Sequence, residues 1–422
     1  MNHAKRWTTT GLPLNRRRFL QAGAFGAAAL PFWPQIASSA EPASPTLESL
    51  LRELQYLTPE SEFGNVERGK PVPSSLPPEK LKTVGLTRES WKLEVVSDPA
   101  SPAKIRHPLS KQAGSALDWV GLMRLAENHA VRFLKIMTCN NIGAPLGMGL
   151  WEGVPLSTVI WLAKPAANLR RVSYFGYHND DPKQIFQSSL PIGRVLETPP
   201  GEYPVILCYK LNGEYLTPHR GGPVRVLVPD AYGFKSVKWI QRIVLSNDAF
   251  GNDTYAKENN DIDSQMKTFA RFVSVPTNPK ARQPIPIVGS AQVGVSGLSK
   301  VQYWLCPREK APAEDDQFFE HGDWKDARIL PPPTGRAWGG TFKDGKLPKG
   351  ILGFDSNARP KTWPLRFALA QWSAVIPGVT AGKYDLRCRT IDENGIAQPL
   401  PRPYPKSGHN AIETVELEVV PA

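Results

Sequence analysis

The chain has 422 residues, 41% of them apolar and 21% charged, which allows two domains with buried cores and excludes a disordered chain. Its 42 prolines are about twice the usual ~5% share; because proline removes a backbone donor, they exclude a coiled coil and favour a loop-rich protein containing strands. The net charge of +12 includes five cations and no acid within residues 1–40, and the remaining cations form no basic stripe, so no nucleic-acid partner is expected.

Asn15-Arg16-Arg17-Arg18-Phe19-Leu20 precedes an Ala/Gly-rich apolar run from Ala22 to Phe32, and Ser38-Ser39-Ala40 follows. A charged region, a short apolar region and small residues at a cleavage site read as an export signal over residues 1–40. The arginine pair resembles the twin-arginine signal, which implies export of a folded, cofactor-loaded protein to the periplasm.

In the chain that follows, Leu47, Leu50, Leu51 and Leu54 recur at helical spacing over residues 46–55. Ser115-x-x-Asp118 is expected to box the start of a helix reaching Asn128. Arg132–Met137 then reads as a strand delivering Thr138-Cys139 to a loop kept permissive by Gly143, Gly147 and Gly149, with a helix over Val154–Leu162. Further strands are expected at Val172–Phe175, Val205–Leu211, Val224–Val228 and Val237–Leu245. A polar stretch from Ser246 to Gln283 suggests a boundary, giving domains over 41–260 and 280–422. Beyond it, short strands at Ile285–Val293, Val301–Leu305, Tyr384–Thr390 and Thr414–Val420 suggest a β-sandwich. The fold class is therefore α+β, a mixed domain followed by an all-β one.

The common catalytic signatures are missing. Cys139, Cys208, Cys306 and Cys388 form no Cys-x-x-Cys pair and no haem attachment site, and no His-Glu-x-x-His, Gly-x-Gly-x-x-Gly, phosphate-binding loop or Gly-x-Ser-x-Gly elbow occurs.

Other motifs remain. Thr138-Cys139-Asn140-Asn141-Ile142-Gly143 precedes Leu150-Trp151-Glu152-Gly153-Val154-Pro155-Leu156. Ser188-Ser189-Leu190-Pro191-Ile192, then Tyr209 to Gly213 running into Arg220-Gly221-Gly222-Pro223-Val224-Arg225, and then Tyr232 to Trp239 follow in order. Tyr384-x-x-x-Cys388-Arg389-x-x-Asp392-x-x-Gly395-x-x-Gln398-Pro399 closes the series. Together they resemble the sulfite oxidase family of molybdopterin-dependent oxidoreductases across about residues 130–400. The resemblance implies a mixed α/β molybdopterin-binding domain, an immunoglobulin-like β-sandwich that makes a homodimer, and a molybdenum–molybdopterin cofactor.

It also implies roles for individual residues. Cys139 would be the metal ligand, since a soft thiolate donates charge to molybdenum. Arg225, Lys235, Ser236 and Lys238 would hold the pterin phosphate, arginine by its fork and lysine as a point charge. Arg220 stands where the family has histidine, with His219 beside it, and Asn179 and Asp180 lie near the family's pterin-binding acid. Two departures concern the substrate. Phe186 takes the place of a tyrosine and cannot donate a hydrogen bond, and the substrate arginine is only loosely echoed at Arg68, with Glu67 aligning as well.

The function implied is oxygen-atom transfer between a small substrate and a Mo(VI)/Mo(IV) centre, as in sulfite dehydrogenases. A separate electron carrier such as a cytochrome c would take the electrons, with no haem in this chain. The alternatives are reduction of a neutral sulfoxide or N-oxide on the same cofactor, and a non-enzymatic surface β-sandwich.

Overall fold

The computed structural model describes Thr46 to Ala422 except residues 178–184, 252–253, 255–257, 259, 311–315, 317 and 343. The export signal and the pair Asn179 and Asp180 lie outside the described residues.

Two sheets make the first part. In one, the strand order is Leu117–Asp118, Lys92–Ser97, Ile240–Ser246, Arg171–Gly176, Gln187–Pro191, with only the pair Lys92–Ser97 and Ile240–Ser246 parallel. In the other, Val131–Met137, Gly147–Pro155, Ile206–Leu211 and Glu214–Tyr215 run in sequence, and Arg225–Leu227 also pairs with Ile206–Leu211. Helices Trp119–His129 and Leu156–Leu162 connect them. The first is capped by Asp118, whose carboxylate accepts from Gly121 N at 2.8 Å, so the expected box from Ser115 is not used.

The motif Leu150–Pro155 is strand, not the loop and helix start that its glycines suggest. Those glycines serve close approach instead. A Cβ on Gly149 would meet Leu211 Cδ1 at 2.3 Å, and one on Gly153 would meet Leu207 O at 2.4 Å. The neighbouring strand can therefore lie flat against this one, which fixes Trp151 in the core at 0% exposure.

The second part is a seven-stranded, all-antiparallel sheet, in the order Phe269–Ser274, Ile285–Gln292, Leu369–Ile376, Lys325–Ile329, Lys300–Pro307, Gly382–Ile391, Glu413–Val419. It wraps its own core of Ile285, Ile287, Val301, Trp372 and Leu386. The chain is thus an α+β protein with a β-sandwich half. The two cores do not follow the polar stretch strictly. Trp338, Ile351, Phe354, Leu365 and Phe367 return from the C-terminal half to pack with Tyr56, Phe133 and Trp151.

Candidate active site

A cavity of about 260 Å³ opens where the two sheets of the first part meet. Val131–Met137 brings Thr138 and Cys139 to its floor; Cys139 is 6% exposed, and its thiol donates to Asn141 Oδ1 at 2.7 Å. Opposite stands the turn Gly233–Lys235 and the segment to Trp239. Gly233 N donates to Thr138 O at 2.6 Å, and a Cβ there would meet that oxygen at 2.8 Å, so only glycine lets the turn lie against the cysteine loop.

Among the described residues, four cations line this cavity, Arg68, Arg220, Arg225 and Lys238, against one acid, Glu67. Arg225 is 4% exposed, donates to Arg220 O at 3.0 Å and Ser236 O at 2.6 Å, and leaves Nε without a partner. Burial pushes its pKa down to about 10, so it stays cationic at neutral pH. A buried cation with an unused donor on a cavity wall is a place for an anion. Lys238 donates to Asn65 Oδ1, to His219 O at 2.8 Å and to Val66 O at 3.2 Å. Burial, then Arg225 and Arg220, pull its pKa down to about 7, with Glu67 and Glu60 opposing.

The segment Glu60 to Arg68 forms a strap over one side. Arg220 holds it through Glu60 Oε1 at 2.9 Å, Gly64 O at 2.7 Å and Phe63 O. The strap in turn sets Phe63 edge-on to Trp151, centroids 5.9 Å apart, with the Arg220 guanidinium 4.8 Å from the Phe63 ring. At the strap's end, Arg68 lies 3.8 Å over the ring of Phe186, which is 4% exposed.

Cys139, Phe186, Arg68, Arg220, Arg225, Ser236 and Lys238 thus share one cavity. Two expected contacts lie elsewhere. The Lys235 ammonium donates to Ser189 O at 2.9 Å, because its turn directs it into the sheet of Gln187–Pro191, and it does not line the cavity. The exposed His219 side chain has Nδ1 4.0 Å from Glu67 Oε1, and only its carbonyl reaches the site through Lys238. The sequence places Asn141 in the motif around Cys139 but gives it no role, and it does not single out Asn65 or Lys135. Asn65 carries no motif of its own. Lys135, fully buried within the strand that leads to Cys139, donates to Ile136 O at 3.2 Å and Ala231 O at 3.1 Å. A lysine inside an apolar strand pattern was the available signal for it.

A buried thiol facing an anion-receptive, cation-lined cavity is an arrangement suited to an anionic cofactor that carries a soft metal. Residues 83–254 match the oxidoreductase molybdopterin binding domain. The sulfite oxidase of Gallus gallus is 25% identical over 372 residues, covering 85% of this chain and 71% of that protein. The NADPH nitrate reductase of Neurospora crassa is 29% identical over 222 residues, 48% of this chain but 21% of that protein; that of Beauveria bassiana is 28% identical over 138 residues, 32% and 14%. The chain therefore spans only a small part of the nitrate reductases it matches. The crystal structure of the sulfane dehydrogenase SoxCD from Paracoccus pantotrophus shares the fold, with a TM-score of 0.54 at 17% identity, covering 93% of this chain and 96% of that one. Residues 83–254 therefore carry a molybdopterin-binding oxidoreductase domain, and the chain as a whole is similar to sulfite oxidase.

The residues present fit a molybdopterin. Cys139 is the one thiol lining the cavity among the described residues and suits a soft metal, and the unpartnered Arg225 Nε beside Lys238 and Ser236 suits a phosphate.

Proposed function

We propose that this chain is an exported, periplasmic molybdenum-dependent dehydrogenase that transfers an oxygen atom to or from a small substrate, sulfite dehydrogenase-like in its chemistry. The observation that carries this reading is Cys139 and Arg225 facing one cavity whose wall, among the described residues, holds four cations and one acid. When bound, the molybdenum–molybdopterin supplies oxygen-atom transfer coupled to a two-electron change. In this reading Cys139 gives the thiolate, and Arg225, Lys238 and the Ser236 hydroxyl grip the pterin side. Arg220 keeps the strap closed, which excludes water and holds Arg68 over the substrate position.

Arg68 attracts an anionic substrate, while Phe186 offers an apolar wall and no hydrogen bond. That wall favours a second reading, reduction of a neutral sulfoxide or N-oxide. Lys238, titrating near neutrality, can hold or release a proton at Nζ. A separate carrier such as a cytochrome c takes or gives the electrons, and the β-rich half forms a homodimer. The deciding experiment measures steady-state turnover of the purified, molybdenum-loaded protein with sulfite and ferricyanide, and with reduced viologen and dimethyl sulfoxide. Turnover in the first assay alone supports the dehydrogenase, turnover in the second alone supports the reductase, and failure of both removes the proposal.

A further inference from the structure

A second cavity, of about 440 Å³, lies between the turn at Phe318 and Phe319 and the segment Pro399–Ile412. Nothing in the reaction described above uses it. Its apolar side is made by Phe319, Pro399, Pro401 and Ile412, and its polar side by Lys267 and Asn410. Both polar side chains are more than nine-tenths buried, at 3% and 6% exposure.

Their donors are not fully used. The Lys267 ammonium donates to Ser407 Oγ at 3.2 Å and Gly408 O at 3.2 Å, which engages two of its three hydrogens. Asn410 Nδ2 has no partner among the described residues. Leaving a buried donor unmade is costly, so such a group on a cavity wall points to an acceptor that completes it. The charge balance fixes the kind of acceptor. Arg402, also on this wall, is neutralised by Asp261 Oδ2 at 2.7 Å, while among the described residues no carboxylate is bonded to Lys267. One uncompensated positive charge matches a monoanion and not a phosphate dianion. Two unused donors match the two oxygens of a carboxylate. The rings and prolines opposite match an apolar body.

We propose that this cavity is a binding site for a small monocarboxylate bearing an apolar or aromatic group. The site also touches the floor of the active cavity. Lys267 N donates to Tyr232 Oη at 3.3 Å, and a Cβ on Gly408 would meet that oxygen at 2.2 Å. Tyr232 is the residue before Gly233, which packs on the Cys139 loop. Tyr232 thus links the wall of this cavity to the turn that lines the active site.

The test is calorimetric titration of the full, cofactor-loaded chain with benzoate, with neutral benzamide and inorganic phosphate as comparisons. Saturable benzoate binding is expected, with benzamide and phosphate each weaker by roughly tenfold or more. Asn410→Asp, which changes charge but not shape, and Ile412→Trp, which fills the apolar side, should each lower benzoate affinity by at least roughly tenfold. Lys267→Met should do the same, and if it fails to fold, the other two variants still decide. Absence of benzoate binding, equal binding of phosphate, or benzoate binding unchanged in Asn410→Asp and Ile412→Trp would overturn the assignment. So would benzoate binding lost on Arg68→Ala, because that places the ligand in the active cavity.

Discussion

Phe186 decides more about the substrate than any other single side chain. Its ring lies under Arg68 at 3.8 Å, and a tyrosine there would keep the same ring face for the guanidinium while adding a donor. One charge-assisted hydrogen bond is worth ~1.5–3 kcal/mol, so Phe186→Tyr should raise kcat/KM for sulfite roughly tenfold to hundredfold. Brisk sulfite turnover by the native enzyme with no gain from tyrosine would remove the case for an altered substrate. Lys135 gives a residue-scale prediction of a different kind. Desolvation pushes its pKa down from 10.5 to about 7, so between those values the unfolded chain carries the extra proton and stability rises with pH. Below about 7 both states are protonated and the contribution is flat. From about pH 7 to about pH 9 the native protein should gain on the order of 2 kcal/mol relative to Lys135→Met. Urea unfolding of both forms at the two pH values measures it, and parallel pH profiles would count against a titrating Lys135.

Among the elements, the strap Glu60–Arg68 matters most, and it was the least legible. It is held at the cavity by Arg220 and by Lys238, whose bonds to it span separations of 156 to 173 residues. Only the weak echo at Phe63 and Arg68 hinted at it, because long-range closure leaves no local period. Arg220 was legible as a motif position but not in its role, which is to satisfy carbonyls of the strap. Arg220→Met should therefore free the strap. Gly64 N, which donates to Leu146 O at 2.7 Å, should lose roughly tenfold or more of its hydrogen-exchange protection, while amides of Val131–Met137 keep theirs. Equal protection in both forms would show that the strap stands without the arginine. The strand Gly147–Pro155 was misread for a related reason. Its glycines signal loop locally, yet here they permit contact with a neighbouring strand that the sequence does not display. By contrast, Val131–Met137 and Ile285–Gln292 were legible as runs rich in apolar residues, and Gly382–Ile391 by the alternation of Tyr384, Leu386 and Cys388 with charged residues.

At the scale of the molecule, the two cores share chain. The segment holding Trp338, Ile351, Phe354 and Phe367 leaves the β-rich half and completes the core beneath the cavity, where Phe367 O accepts from Ile136 N at 2.8 Å, three residues before Cys139. Polar composition between Ser246 and Gln283 marks a surface crossing and says nothing of this return, which depends on tertiary packing. Ending the chain after Gln283 would strip several large side chains from the first core, at ~3–5 kcal/mol for each aromatic lost. That exceeds the stability of a typical domain. The shortened protein should be unfolded by circular dichroism and should bind no cofactor; a folded, soluble product would show that the first part stands alone.

The central claim is that Cys139, Arg225 and Lys238 together hold a molybdopterin. Metal analysis with pterin fluorescence, on protein from a molybdenum-replete host, tests it most directly. We predict molybdenum and pterin equimolar with the native chain. Arg225→Met should lose both, whereas Cys139→Ala should keep much of the pterin, because its phosphate contacts are elsewhere, and lose all turnover. Native protein free of molybdenum, or an Arg225→Met variant with full pterin content, would contradict the account.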